Sequence, residues 1–323
     1  MSLDLPLVFT ALMGIAILAY VVLDGYDLGV GMLMPAASRE EQDLMVSSIG
    51  PFWDANETWL VLGIGLLLVA FPAAHGVVLG ALYLPVAAML VGLMLRGVAF
   101  ELRIKAEGWH RELWNWLFWA GSTLASVAQG LMLGRYITGF ESGWGYWLFA
   151  LVVAGGLCGG YVLLGATWLI LRTEGALQDK ARLWARWGLL WVALGVALVS
   201  IATPLASETV REKWFSFPRI AFLSLLPLAT LAAWLFVFVE ARKSEWKPFA
   251  GSVAIFALAF LGLTYSLFPY VVMDRMTIWE AAAHESALEF VLAGTALVLP
   301  FIVFYTAWSY RVFRGKARPH DYG

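Results

Sequence analysis

The chain carries, ahead of a long apolar run, the stretch Trp53-Asp54-Ala55-Asn56-Glu57-Thr58-Trp59. No charged residue occurs between Thr58 and Ala74, so this run predicts a membrane-spanning helix with two acids at its mouth. A carboxylate carried into lipid costs about 2.5–3.5 kcal/mol on insertion scales, and such acids usually face a bundle interior, a partner or water. A functional site inside a helix bundle is therefore one interpretation of this stretch.

A helix cap is the other interpretation of the same stretch. Asp54 stands three residues before Glu57, which is the spacing of a capping box. In that motif each side chain accepts a hydrogen bond from a backbone N–H group at the helix start. The segment alone leaves both interpretations open.

The composition indicates the class of protein. Of the 323 residues, 61% are hydrophobic and 14% are charged, against about 25% charged in soluble domains. Together with 17 Trp residues and recurring uncharged runs, these values predict an all-α polytopic membrane protein. The net charge of −2 indicates no nucleic-acid partner.

Nine segments are apolar enough to span a bilayer, each near or above the ~20 residues that a helix needs. Within a single membrane domain, 1–323, they cover residues 7–34, 53–72, 77–100, 115–136, 144–171, 184–206, 218–240, 248–272 and 287–311. The first is interpreted as a retained span, because Asp4 stands where a signal peptide would be basic. The second and third are joined by a predicted tight turn, Pro72-Ala73-Ala74-His75-Gly76.

The Lys and Arg residues predict the orientation. An odd number of spans puts the termini on opposite sides of the membrane. Most of the 21 basic residues then fall on the inner side if the N-terminus is outside. The positive-inside rule therefore favours N-terminus out and C-terminus in.

This topology brings further charges to the depth of the Trp53–Trp59 stretch. The first helix is ~28 residues long and extends about 42 Å, so Asp24 and Asp27 lie in its inner half, within the membrane. The alternative is that they mark a solvated helix end. They are three residues apart and share one face, beside a flat strip made by Gly25 and Gly29 on which another helix can pack. Six ionisable groups are therefore expected at one depth: Asp24, Asp27, Asp54, Glu57, Arg96 and Glu101.

Two other polar features have structural interpretations. The fourth span carries a polar stripe, interpreted as interhelical hydrogen bonding, at Ser122, Ser126 and Gln129. The sixth span opens with three Trp residues beside Arg182 and Arg186, which is typical of the aromatic belt at a membrane interface.

The histidines and the cysteine limit the cofactors that the chain can hold. Haem iron is most often held by His, but none of the four His residues is in mid-span: His75, His110, His284 and His320. Cys158 is the only cysteine, so no multi-thiolate metal site is available. We therefore expect no haem and no metal on this chain alone. What remains is carboxylate and arginine chemistry inside a membrane, which suits proton or cation transfer.

Several motifs carry a resemblance to a known family. They are Leu23-Asp24-Gly25-Tyr26-Asp27-Leu28-Gly29-Val30-Gly31, Pro51-Phe52-Trp53-Asp54-Ala55-Asn56-Glu57-Thr58-Trp59, and Phe268-Pro269-Tyr270 with Leu299-Pro300 and Tyr305-Thr306-Ala307-Trp308. Together, and over nearly the whole chain, they resemble subunit II of the cytochrome bd-type quinol oxidases, including the cyanide-insensitive branch.

The resemblance implies a fold and a role. The fold is two four-helix bundles plus one peripheral helix, pseudo-symmetric with a haem-bearing subunit I in the bacterial cytoplasmic (inner) membrane. Subunit I binds haems b558, b595 and d and oxidises quinol, while O2 is reduced to water in an electrogenic reaction without proton pumping. Subunit II contributes assembly and part of a cytoplasm-side proton route. Some members hold a structural ubiquinone, and small single-helix accessory subunits are further partners to consider.

The resemblance also assigns residues by motif. The matching positions are Asp27, Trp53, Asp54, Arg96 and Glu101. Position 101 is Glu where some members have Asp, and position 55 is Ala where Gly is frequent. The first change keeps the charge, and the second narrows backbone freedom at a helix start.

Three hypotheses follow. The leading one is an accessory subunit of a quinol:O2 oxidoreductase. In it Asp54 and Glu101 relay protons, Asp27, Trp53 and Arg96 set their position and charge, and Asp24 and Glu57 are further candidates. The second is a proton-coupled transporter, whose broken helices would show Gly or Pro interruptions in paired spans. The third is a structural scaffold, in which the inner charges form a buried ion-pair network.

We predict that this chain, expressed alone, binds no stoichiometric haem, because no histidine is placed within a span to ligate iron. The check is a redox difference spectrum of the isolated chain beside that of the assembled complex. A clean haem b spectrum from the isolated chain would contradict the prediction.

Overall fold

The computed structural model describes residues 3–318, and His320 lies outside this range. The helices are α1 Leu5–Leu33, α2 Arg39–Ile49, α3 Trp53–Ala70, α4 Pro72–Ala81, α5 Tyr83–Lys105, α6 Gly108–Ile137, α7 Trp144–Arg172, α8 Gly175–Ala206, α9 Glu208–Phe215, α10 Arg219–Leu223, α11 Leu225–Glu240, α12 Lys247–Leu267, α13 Ile278–Ala281 and α14 Glu285–Val312. A 3₁₀ turn, Met34–Ala36, follows α1, and strands β1 Tyr270–Val272 and β2 Met276–Thr277 pair antiparallel.

Nine helical segments within residues 3–318 are long and apolar enough to cross a membrane. They are α1 with its 3₁₀ turn, α3, α5, α6, α7, α8, α10 with α11, α12 and α14. The prediction of an all-α polytopic membrane protein with nine spans is confirmed.

The predicted tight turn after the second span is wrong. Pro72 is the first residue of α4, whose N-cap is Phe71, and the backbone N–H of His75 donates to the Phe71 carbonyl at 2.9 Å. Proline suits a first helical position, because its fixed φ fits the helix and its missing N–H would have had no partner there. The third span consequently begins at Tyr83 instead of residue 77.

The eighth span ends at Leu267, five residues earlier than expected. Pro269 has no backbone N–H, so the chain leaves the helix and enters the short β1–β2 pair instead. This connection lies over the end of the bundle where α1 begins. There the Trp279 indole donates to the Asp4 carboxylate at 3.0 Å, and the Ala283 N–H donates to the Ala70 carbonyl at 2.9 Å.

Helices α1 and α7 lie at the centre of the molecule. Helix α1 packs against α3, α6 and α7, while α7 also packs against α6, α8 and α12. In the most apolar part of α7, 56% of the residues are buried, against 6% in α14 and in the α10–α11 span. The two outer spans therefore present most of their surface to lipid or to a partner.

Helices α1 and α7 approach each other at two glycines. A Cβ on Gly29 would overlap the Tyr161 carbonyl oxygen and lie 2.9 Å from the Gly165 nitrogen. The flat strip predicted on the first helix is thus confirmed at Gly29, with α7 as the neighbouring helix. Small residues allow this backbone contact, which is the usual way that membrane helices gain packing energy.

We predict that Gly29→Ala destabilises the protein by about 1–3 kcal/mol, because the added methyl group forces two packed backbones apart. The matched control is Gly65→Ala on α3, where an added Cβ meets no atom within 4 Å. The measurement is the thermal unfolding midpoint of the purified complex. Equal midpoints for the two variants would contradict the packing argument.

Candidate functional site

The start of α3 lies inside the helix bundle because α2 leads the chain inward. Ser38 and Glu41 form a capping box at the exposed start of α2, and the buried far end of this helix reaches Ile49. Asp43 of α2 accepts hydrogen bonds from Arg103 of α5 and from Arg111 of α6, which hold α2 in place. As a result, α3 begins directly after a buried residue, Phe52.

The capping-box interpretation of Asp54 and Glu57 is wrong. The N-cap of α3 is Phe52, and no side chain caps this helix end. Asp54 is therefore the second helical residue and exposed, while Glu57 lies beyond the first turn. Because α3 begins at Trp53, before Asp54, the three-residue spacing of Asp54 and Glu57 cannot form a capping box. Asp54 lies in the first turn, where an acid is favoured by the helix dipole.

The centre of the site is a buried arginine between two acids. Arg96 of α5 donates to an Asp24 oxygen of α1 at 2.6 Å and also to the Glu57 carboxylate of α3. The Arg96 side chain is 1% exposed, that of Asp24 is 0% exposed, and that of Glu57 is 27% exposed. The Trp53 ring lies 6.0 Å from the guanidinium carbon, at the outer limit for a cation–π contact.

Asn56 joins the second acid to two tyrosines. Its amide nitrogen donates to an Asp27 oxygen at 2.8 Å and to the Tyr26 hydroxyl at 2.9 Å. The Tyr310 hydroxyl of α14 donates to the Asn56 oxygen at 3.1 Å and lies 2.6 Å from the Tyr26 hydroxyl. The amide therefore connects α1, α3 and α14 at the level of the ion pairs.

Two buried carboxylate oxygens of this cluster, Asp24 Oδ2 and Asp27 Oδ1, accept no hydrogen bond of good geometry within residues 3–318, although the Tyr20 hydroxyl lies near Asp24. A buried polar atom without a partner costs about 1–3 kcal/mol, more for a charged group, so such atoms are rare in folded proteins. An oxygen of this kind is also free to accept a proton. The cluster can therefore hold its shape through Arg96 and Asn56 while these two oxygens take up or release a proton.

A second polar chain continues from Asp24 along the bundle interior. Tyr20 lies within electrostatic reach of Asp24, and Gln129 of α6 donates to the Tyr20 hydroxyl at 2.7 Å. The Tyr161 hydroxyl of α7 donates to the other end of the same amide at 2.6 Å. The interhelical hydrogen bonding predicted for the stripe on the fourth span is confirmed at Gln129. Ser126, in contrast, donates to a carbonyl of its own helix.

The structure brings together four of the six expected groups, namely Asp24, Asp27, Glu57 and Arg96. Asp54 and Glu101 are exposed, and the structure gives neither of them a hydrogen bond or ion pair within residues 3–318. Each follows one residue of an aromatic contact between α3 and α5: Asp54 follows Trp53, and Glu101 follows Phe100. The centroids of these two rings are 5.1 Å apart.

Three members of the cluster, Tyr26, Asn56 and Tyr310, were not predicted from the sequence. Asn56 stands between two acids within the Trp53–Trp59 stretch, and Tyr26 stands between Asp24 and Asp27. Their positions among acids were the available signal. Tyr310, at the end of the peripheral helix α14, gave no such signal.

The residues present do not fit a haem or metal centre inside the bundle. Within residues 3–318 no group of three or more His, Cys, Asp or Glu side chains can hold a metal ion. The three described histidines are half-buried or exposed, and none lies in a spanning helix interior: His75, His110 and His284. That the isolated chain binds no haem stays a prediction.

The fold and the site define a polytopic membrane protein with ionisable groups buried between its spans. The family model for cytochrome bd terminal oxidase subunit II matches residues 5–313. This chain belongs to that family, and the resemblance seen in its motifs is confirmed.

Individual relatives agree with this assignment. The chain is 28% identical to cytochrome bd-I ubiquinol oxidase subunit 2 of Escherichia coli (strain K12), over 98% of this chain and 96% of the relative. It is 29% identical to cytochrome bd ubiquinol oxidase subunit 2 of Bacillus subtilis (strain 168), over 94% of both chains. Among solved structures, a chain of the bd oxidase from Geobacillus thermodenitrificans shares the fold, with a TM-score of 0.63 at 9% identity, over 96% of this chain and 98% of that one.

We predict that Arg96→Ala lowers the free energy of unfolding by about 3–5 kcal/mol, because it leaves Asp24 buried without its cation. Arg96→Lys keeps the charge but loses the fork that reaches both acids, so it costs less. The measurements are the yield and the thermal midpoint of the assembled complex.

A double variant tests the pairing itself. Asp24→Asn added to Arg96→Ala removes the stranded charge and is expected to recover part of the lost stability. Equal yields for the Ala and Lys variants, or no recovery in the double variant, would count against the ion pair.

Proposed function

We propose that this chain is subunit II of a terminal quinol oxidase that couples quinol oxidation to the reduction of O2 to water in a bacterial inner membrane. Family membership supports the oxidase assignment. In the proposal, subunit I holds haems b558, b595 and d and supplies the oxygen chemistry. This chain stabilises the assembly and conducts protons from the cytoplasmic side. The cluster of Asp24, Asp27, Arg96 and Glu57, in which Asp24 and Asp27 are buried and each keeps one carboxylate oxygen outside the ion pairs and hydrogen bonds, is the observation that carries the proton role.

The proposed architecture has two four-helix bundles. In the proposal, helices α1, α3, α5 and α6 form the first, α7, α8, α11 and α12 form the second, and α14 is peripheral. The packing of α1 against α3 and α6 and of α7 against α8 and α12 supports this division, while α7 also packs against α1 and α6 where the two bundles meet. We place the N-terminus outside and the C-terminus in the cytoplasm, since the basic residues concentrate at the end where α1 finishes. The acid cluster then lies on the cytoplasmic half of the first bundle.

The proposed proton route uses the difference in burial among the acids. Asp54 and Glu101 are exposed and can exchange protons with water or with a partner surface. Glu57, partly exposed and bonded to Arg96, links them to the buried pair Asp24 and Asp27. Intramembrane acids of this kind commonly form proton relays, with carboxylates and water passing the proton in short steps.

Arg96 and Trp53 have positioning roles in this proposal. The guanidinium holds one oxygen of Asp24 and the Glu57 carboxylate at fixed positions, so proton uptake occurs without movement of the helices. The Trp53 ring packs against Phe100 and lies beside the Arg96 guanidinium, and so holds the start of α3 against α5.

A structural scaffold is the competing function. Arg96 pairs through its two terminal nitrogens with acids from two other helices, which is also what a buried ion-pair network requires, although its Nε has no acceptor within residues 3–318. The transporter hypothesis has no such observation in its favour. A relay and a scaffold differ in one respect: only the relay needs side chains that gain and lose a proton during turnover.

We predict that Asp54→Asn leaves the haem spectra and assembly unchanged and lowers O2 consumption per haem about tenfold or more, a loss of about 1.4 kcal/mol in the limiting barrier. Asn cannot carry a proton, and Asp54 caps no helix, so folding should not suffer. Asp54→Glu should recover part of the rate.

The matched control is Asp179→Asn, which neutralises an exposed acid near the start of α8 that has no role in the proposed route. This variant is expected to turn over at the wild-type rate. Wild-type turnover in Asp54→Asn as well would remove Asp54 from the relay and favour the scaffold.

A further inference from the structure

A groove of about 250 Å³ opens between α8 and α11, away from the acid cluster. Its walls are Leu183, Trp187 and Leu190 of α8 and Phe238 of α11, all of them well exposed although they belong to membrane-spanning helices. Exposed apolar side chains on a spanning helix are available to lipid or to a partner.

The floor of the groove is a fixed aromatic surface. The Trp234 indole donates to the Leu189 carbonyl of α8 at 2.9 Å, which joins the two helices. The Phe238 ring stacks on Trp234 with centroids 5.6 Å apart and an interplanar angle of 7°. The groove is therefore preformed.

Two arginines, Arg186 and Arg242, line the same groove. The structure gives neither of them an ion pair or a hydrogen bond within residues 3–318. Arg182, one turn earlier on α8, differs, because it donates to the carbonyls of Ala241 and Ser244 and so closes the end of α11. Arg186 consequently lies one turn deeper in the span than the end of α11.

Nearby acids do not neutralise these arginines. Glu240 pairs with Lys247 at 3.2 Å, and Glu245 pairs with Lys316 at 2.9 Å. Among residues 3–318, the groove therefore combines two guanidinium groups that have no acidic partner with an apolar channel that runs from them along the spanning helices.

We propose that this groove binds an anionic glycerophospholipid, with its phosphodiester between Arg186 and Arg242 and an acyl chain along Trp187, Trp234 and Phe238. Guanidinium groups bind phosphate oxygens through paired N–H donors, and basic pockets between membrane helices recognise lipid head groups in this way. Tryptophans at this depth suit the boundary between head group and chain. The phosphate of an anionic lipid pairs with the two arginines, and its acyl chain fills the apolar channel. The inference goes beyond the proposed oxidase function and requires only that the chain spans a membrane.

The test is a lipid titration of the assembled, delipidated complex followed by native mass spectrometry. Phosphatidylglycerol and phosphatidylcholine with identical acyl chains are the two probes. The Arg186→Gln/Arg242→Gln variant is expected to bind phosphatidylglycerol about tenfold more weakly or worse, because each basic residue at an anionic membrane surface contributes roughly fivefold. Its phosphatidylcholine binding should be unchanged. Trp187→Ala should weaken both lipids, and the Arg186→Lys/Arg242→Lys variant should keep most of the preference.

The matched control is Lys105→Gln/Arg314→Gln, which removes two exposed charges elsewhere at the same end of the bundle. It is expected to keep the wild-type preference for phosphatidylglycerol.

The proposal is overturned if Arg186→Gln/Arg242→Gln keeps that preference or the control loses it equally. It is also overturned if excess inorganic phosphate displaces all bound phosphatidylglycerol, which would indicate a simple anion site. Absence of lipid binding to the assembled complex would mean that a protein covers the groove and would overturn it too. Unchanged haem spectra verify that each variant is assembled.

Discussion

A guanidinium group in a helix bundle must be matched by acids, and this constraint organises the first half of the chain. Arg96 on α5 is fully buried and takes its partners from α1 and α3. Removing Arg96 leaves Asp24 without its cation in a poorly solvated place, which typically costs several kcal/mol. Three helices are therefore held in one relative rotation by a single side chain.

Backbone packing supplies the second constraint. Gly29 and Gly165 let α1 approach α7 so closely that no Cβ fits between them. This contact aligns α1 along the centre of the molecule, with Asp24 and Asp27 between α3, α5 and α6 on one side and α7 on the other. The polar cluster is thus enclosed by close packing, and aromatic side chains cover its tyrosines, with Trp168 stacked on Tyr26 and Phe52 stacked on Tyr310.

In the proposed function, assembly and proton movement depend on the same group of acids. Buried Asp24 and Asp27 each hold an oxygen that accepts no hydrogen bond of good geometry within residues 3–318, while Asp54 and Glu101 remain at the surface beside the Trp53–Phe100 contact. The surface acids are where a partner subunit can change the environment of the site. The lipid groove between α8 and α11 lies apart from them, so its occupation and proton transfer can be tested separately.

The sequence alone determined the number of spans, because apolar length in lipid leaves little choice, and it identified the family through motifs that cover most of the chain. It also indicated that the acids and Arg96 lie near one end of the bundle, since alternating spans bring these helix ends together. It did not determine which acids are buried. Asp54 and Asn56 lie about 200° apart around α3, so the residue at which this helix begins and the way it is rotated decide which of the two points inward. The buried end of α2 and the demand of Arg96 for partners fix that rotation, and both are contacts between residues far apart in the chain.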